Sequence, residues 1–165
     1  MLRWEIFKAR LFLLLIKIDR MDIEEIQDRI SLKELIDQVS ILGDQKDFQA
    51  QVQLFSENAI SETIANDKTI LKLRGRKEMA EKFKEFLKNC ETVYHFNGQQ
   101  QLTIDGDKAM GTVYCVITLI GNENDQKIKT TIGAIYKDDY VLQGNRWLID
   151  KRIGYFNWQE KTIFN

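Results

Sequence analysis

Apolar residues recur along this chain with two different periods, and the change of period divides it. Ile23, Ile26 and Ile30, then Leu35, Ile36, Val39 and Leu42, return at helical spacing. Ser31 with Glu34 forms a capping-box pair, which predicts a short first segment and a helix that restarts there. Gly43 supplies a stop, and Asp47 is placed to cap a second short helix carrying Phe48, Val52, Leu54 and Phe55. Residues 58–64 and 69–73 are rich in β-branched side chains and read as short strands. A third helix over 76–89 puts Met79, Phe83, Phe86 and Leu87 on one face.

From Thr92 onward the period becomes two. Residues 92–105, 108–120, 127–140 and 146–158 are predicted as long antiparallel strands. The turns fall at Asp105-Gly106-Asp107, Gly121-Asn122-Glu123-Asn124 and Gln143-Gly144-Asn145. Helices first and a meander of strands last predict an α+β fold, with helices covering one face of a curved sheet. The absence of proline leaves every ladder hydrogen bond available. Val113, Cys115, Ile117 and Leu119 alternate with Met110, Tyr114, Val116 and Ile120, so this region is apolar on both faces. Its outer face calls for a cover, and a homodimer through that face is the simplest one.

Composition narrows the options. Net charge is −1, from 24 Lys+Arg against 25 Asp+Glu, which removes the broad attraction a nonspecific nucleic-acid binder needs; no nucleic-acid partner is expected. Residues 1–20 read as an N-terminal extension, and residues 21–165 as a single domain without repeats or linkers. The run Leu11–Ile16 is far shorter than the ~20 residues that span a bilayer, so stable membrane insertion is not expected. The preferred expectation is that Met21 is the biological start and residues 1–20 are translated from upstream. A short amphipathic arm is the alternative. Cys90 and Cys115 lack CxxC spacing and read as free thiols of a reducing cytoplasm.

The single histidine excludes a metal site built on two imidazoles of one chain, and no metal or other cofactor is called for. Proton chemistry near neutrality therefore leans on His95. By strand alternation it shares a face with Val93 and Asn97, whereas Tyr94 and Phe96 point the other way. A half-buried structural histidine is the plain reading of that position. A general base needs an orienting carboxylate, and Asp44 after Gly43 is the best candidate. Asp47 is explained as a cap. Glu62 points either into the interior or to a solvated edge. Lys127, Lys129 and Lys137 read as a solvated strand edge. No GxGxxG, P-loop or GxSxG motif is present.

Asp44-Gln45-Lys46-Asp47-Phe48, Leu54-Phe55, Asn58-Ala59, Gly75-Arg76, His95-Phe96, Ile104 to Ala109 and Arg146-Trp147-Leu148-Ile149 stand in a familiar order. Over residues 22–158 the chain resembles the SnoaL-like branch of the nuclear transport factor 2-like superfamily, relatives of scytalone dehydratases, polyketide cyclases and steroid isomerases. The resemblance implies a cone-shaped, strongly bent antiparallel sheet wrapped by three helices, with a pocket at the wide end (a cystatin-like fold). Against scytalone dehydratases, Asp44 matches the catalytic Asp and His95 the first catalytic His. Leu119 falls near the second catalytic His, Ile132 near a substrate-bonding Asn, and Gly43 and Thr63 near two helper tyrosines. The implied pocket, with Phe83, Asn97, Ile117, Leu119 and Ile132 in its lining, is therefore more apolar than the dehydratase one. Two readings stand. One is a cofactor-independent lyase or isomerase in which Asp44 orients His95 for proton transfer on a small hydrophobic or cyclic ligand. The other is a non-catalytic ligand-binding or dimeric interaction module.

Overall fold

A computed structural model describes residues 23–164. The expectations for residues 1–20 and for a start at Met21 lie outside the described residues. The elements run α1 (Ile23–Asp44), α2 (Phe48–Gln51), a 3-10 turn (Val52–Leu54), β1 (Phe55–Ala65), β2 (Lys68–Arg74), α3 (Arg76–Phe86), β3 (Cys90–Asp105), β4 (Lys108–Glu123), β5 (Gln126–Gln143) and β6 (Arg146–Ile163). This is the α+β order the two periods predict.

The first helix differs from expectation by being continuous. Leu32, Leu35, Ile36, Val39 and Gly43 form one buried stripe that carries the helix past Ser31, which is exposed and caps nothing. Ile23, Ile26 and Ile30 lie off that stripe and stay in solvent. Asp47 does cap α2, its side chain accepting the Ala50 N–H at 3.0 Å. Trp147 ties α1 to β6, donating its indole N–H to Asp28 Oδ1 at 2.7 Å.

The six strands form one sheet in the order β2-β1-β6-β5-β4-β3. Neighbours are antiparallel except β1 and β6, which run parallel, so the curved sheet is mixed rather than wholly antiparallel. Two hairpins turn on residue pairs with positive φ, Asn66-Asp67 and Asn124-Asp125, the geometry that suits strand twist. The β4–β5 turn thus comes later than Gly121, and Gly121 has another purpose. A Cβ there would stand 2.4 Å from the Asn89 carbonyl oxygen, where the chain enters β3. Lys127, Lys129 and Lys137 are on β5, an interior strand, which corrects their reading as an edge; β2 and β3 are the edges.

The main core lies between the helices and the sheet, around Leu32, Ile36, Val52, Phe55, Met79 and Ile149. A smaller cluster of Cys115, Ile117, Ile132 and Ala134 sits further along β4 and β5. The opposite face of β3, β4 and β6 exposes Tyr94, Phe96, Met110, Tyr114, Val116 and Trp158. No helix among the described residues is long and apolar enough to cross a membrane.

Because the atom beside Gly121 belongs to backbone and cannot swing aside, Gly121→Ala is expected to lower unfolding free energy by about 1–3 kcal/mol. Urea denaturation of the two proteins checks this; equal midpoints would contradict the packing described here.

Candidate active site

His95 stands on β3, an edge strand, opposite Ile117 of β4. Its backbone N–H faces away from the sheet ladder and needs an acceptor. Asp44, the last residue of α1, provides it. Its two oxygens lie 3.1 and 3.2 Å from that N–H, and Oδ1 is also 2.6 Å from His95 Nδ1. A carboxylate only accepts, so Nδ1 carries a proton, and in the neutral ring Nε2 is left with its lone pair. One side chain therefore covers the strand edge and fixes the imidazole tautomer.

The end of α1 is shaped for this contact. A Cβ on Gly43 would meet Gln51 Nε2 at 2.7 Å, and Gln51 is itself held by donation to the Val39 carbonyl at 2.9 Å. Gly43 therefore lets α2 close against α1 and leaves no room for the tyrosine that the dehydratase comparison places there. Gln51 Oε1 is buried without a partner among the described residues.

His95 lines a cavity of about 250 Å³ between the helices and the concave face of the sheet. That exceeds the roughly 150 Å³ apolar cavity that accommodates benzene. Phe83, Ile117, Leu119 and Ile132 also line it, as does Phe156. Asn97 is not among the lining residues, which corrects its expected place. Its amide donates to Ser40 Oγ at 2.9 Å and holds α1 to β3. Glu62 is engaged at the sheet margin by Thr69 Oγ1 at 2.7 Å and by Lys72 at 3.5 Å. Those contacts, with the Thr69 hydrogen bond foremost, hold its carboxyl below the usual range. Glu62 nonetheless lines the cavity, together with Ser61 and Thr63 that flank it.

The residues that sequence reasoning missed are Arg152 and its neighbours. Arg152 lines the cavity from β6. Its Nε and Nη2 each donate at 2.8 Å to the two oxygens of Asp138, which is inaccessible to solvent, and Tyr140 donates to the same carboxylate at 3.0 Å. Burial opposes the guanidinium charge, yet Asp138 outweighs it and holds the pKa above its ordinary value. Two of the three nitrogens are thus committed, and Nη1 has no protein partner among the described residues. The Tyr136 ring lies under the guanidinium at 4.5 Å, a cation–π contact, and also lines the cavity. Burial pushes its phenol well above the usual range, so it remains a neutral hydroxyl. The signal was a possible Asp–Arg pairing across the β5–β6 hairpin. The register shift at Asp139/Tyr140 brings Asp138 opposite Arg152, and simple counting across the turn does not show it.

The site thus combines a tautomer-fixed imidazole, a fixed guanidinium and a neutral phenol around an apolar chamber. Among the described residues no cluster of His, Cys, Asp and Glu could hold a metal ion.

The model of the SnoaL-like domain family matches residues 24–153. No curated protein matches the sequence. Among solved structures, a type 2 hexachlorocyclohexane dehydrochlorinase (LinA) superposes with a TM-score of 0.75 at 17% identity, over 88% of this chain and 95% of that one. An NTF2-like protein with a cystatin-like fold from Novosphingobium aromaticivorans superposes with a TM-score of 0.62 at 20% identity, over 91% of this chain and 87% of that one. These likenesses show the shared fold.

Cys115 forms part of the wall beneath the site, and burial pushes its thiol up to about 11. Folded protein at pH 8 is therefore expected to resist iodoacetamide at Cys115 until denaturant is added. Mass mapping of the labelled peptides checks this. Rapid native labelling at Cys115 would contradict the packed wall.

Proposed function

The chain belongs to the SnoaL-like domain family, and on that premise we propose that its cavity binds a small hydrophobic or cyclic molecule and moves a proton on it, as a lyase or isomerase. The observation that carries this reading is the 2.6 Å Asp44–His95 contact on the wall of a chamber that Arg152 also lines. His95 Nε2 removes a proton from carbon, and the C–H electron pair moves toward an adjacent acceptor. Arg152 Nη1, helped by the neutral Tyr136 hydroxyl, stabilises the negative charge that develops there. In an isomerase that acceptor is a carbonyl oxygen and the proton returns at a different carbon. In a lyase the pair forms a double bond and the leaving group departs with its own bonding electrons. The dehydrochlorinase among the similar structures is named for such an elimination. Asp44 remains ionised and stabilises the imidazolium. No cofactor is required for either route.

The apolar lining also suits a non-catalytic binder, the second reading. Solvent exchange separates the two. In D2O, a panel of cyclic ketones, hydroxyketones and halogenated cyclohexanes is followed by NMR for deuterium uptake and elimination. His95→Ala is expected to slow the responsive compound by about 10²–10⁴-fold. Arg152→Lys keeps a charge for Asp138 but lacks the spare nitrogen, and is expected to cost about 10²-fold. Binding without exchange, or equal rates in all three proteins, would favour the binder.

We also infer that a second copy covers the outer sheet face. Phe96 is 65% and Met110 61% exposed, and Tyr114 and Val116 on the same sheet face are exposed as well, an apolar surface of the kind that marks an interaction site. Sedimentation is expected to show a dimer that Phe96→Glu with Tyr114→Glu converts to monomer. A monomeric unsubstituted protein would overturn this. A reducing cytoplasm is supported by the two free cysteines.

A further inference from the structure

A buried serine ordinarily has a bonded hydroxyl, because an unpaired one forfeits its hydration. Two serines are buried among the described residues, and they differ. Ser56 donates to Asp150 Oδ1 at 2.6 Å. Ser61 is 8% exposed and lines the cavity, yet its hydroxyl has no hydrogen-bond partner among the described residues. Its place in the sheet fixes its neighbours. On β1 it stands opposite Leu73 of β2 and opposite Arg152 of β6. Leu73 belongs to the main core and Arg152 lines the cavity, so all three share the concave face.

The guanidinium of Arg152 has two edges. Asp138, on β5, takes the edge made by Nε and Nη2, each at 2.8 Å. β6 lies between β5 and β1, so the other edge, with Nη1, is turned toward β1. The ring centroid of Phe55, also on β1, is 6.0 Å from the guanidinium carbon, in keeping with that orientation. Nη1 and the Ser61 hydroxyl are thus unpartnered donors on adjacent strands, facing one chamber from side chains that are both buried. Charge decides what they hold. Asp138 offsets the guanidinium, and Arg152 is the only Lys or Arg among the described lining residues. His95 apart, the other ionisable group in the lining that carries charge is the Glu62 carboxylate. A permanent anion would therefore meet no net positive charge, whereas a neutral oxygen acceptor needs only the donors.

We propose that Ser61 joins Arg152 in holding the oxygen of a neutral ketone, with the apolar body of the ligand in the rest of the cavity. This rests on the reading of the cavity as a proton-transfer site and names its substrate class. The proton on the carbon beside the carbonyl passes to His95 Nε2. Its C–H electron pair forms the C=C bond of an enolate, and the C=O π pair moves onto the oxygen. Both donors tighten on that oxygen as its charge grows, and they are in place before the reaction begins.

Two compounds with the same bicyclic body test this: α-tetralone carries a carbonyl group and tetralin does not. With the full chain, calorimetry gives both affinities. Infrared difference spectra of carbonyl-¹³C tetralone report the C=O stretch, which hydrogen bonding lowers. In the unsubstituted protein the band is expected below its position in hexane. Ser61→Ala is expected to return part of that shift and to weaken tetralone about fivefold, with tetralin unchanged. Tetralin also reports that the variant is folded. Leu119→Trp, which narrows the cavity, is expected to weaken both compounds. An unmoved band and equal tetralone affinity in Ser61→Ala overturn the proposal while the cavity reading stands. Equal weakening of both compounds by Ser61→Ala also overturns it, by reducing Ser61 to a packing role. If neither compound binds, or Leu119→Trp weakens neither, the cavity reading itself fails and the proposal falls with it.

Discussion

The carboxylate of Asp44 is the contact on which the arrangement of the site depends. It ends α1, covers an exposed N–H of an edge strand and sets the proton position on the ring of His95. Hydrogen bonds to an ionised acceptor contribute about 1.5–3 kcal/mol each, more than neutral ones. Helix position and imidazole orientation are consequently coupled: α1 cannot shift along β3 without releasing the histidine. Ser40 and Asn97 add a second tie between the same two elements, one helical turn back.

The opposite wall is built by a different device. Arg152 and Asp138 are buried charges that offset each other across the β5–β6 hairpin, and such pairs carry a desolvation penalty that a hydrophobic pair would avoid. Their value here is positional. With Nε and Nη2 held by Asp138 and the ring of Tyr136 beneath, the guanidinium has one orientation. Gly154, opposite Tyr136 on β6, leaves space for that ring, because a Cβ there would stand 3.0 Å from it. The chamber is therefore preorganised at two ends by two carboxylates, neither of which needs to touch a ligand.

Much of the fold was legible because strand alternation and turn chemistry are local. The four long strands and the capping role of Asp47 follow from residues close in sequence. The continuous α1 was not legible, since the Ser31–Glu34 pair is a good capping signal unless Leu32 is known to face the core. The parallel pairing of β1 with β6 joins distant segments and has no local signature. Asp44 and His95 were recognisable from their motifs. Arg152 was not, because a charged residue in a strand ordinarily reads as solvated, and only the shifted register reveals its partner. The comparison with dehydratases suggested a chamber poor in polar groups. The sheet supplies them from β5 and β6 instead.

The solitary histidine makes the central claim directly measurable. In a long-range ¹⁵N–¹H spectrum of the uniformly labelled protein, all imidazole signals belong to His95. With the ring neutral, Nδ1 is expected to be protonated and Nε2 to be the bare nitrogen, with that preference lost in Asp44→Asn. A ring protonated at Nε2, or a tautomer unchanged by Asp44→Asn, would contradict an imidazole held by Asp44 with its lone pair turned to the cavity.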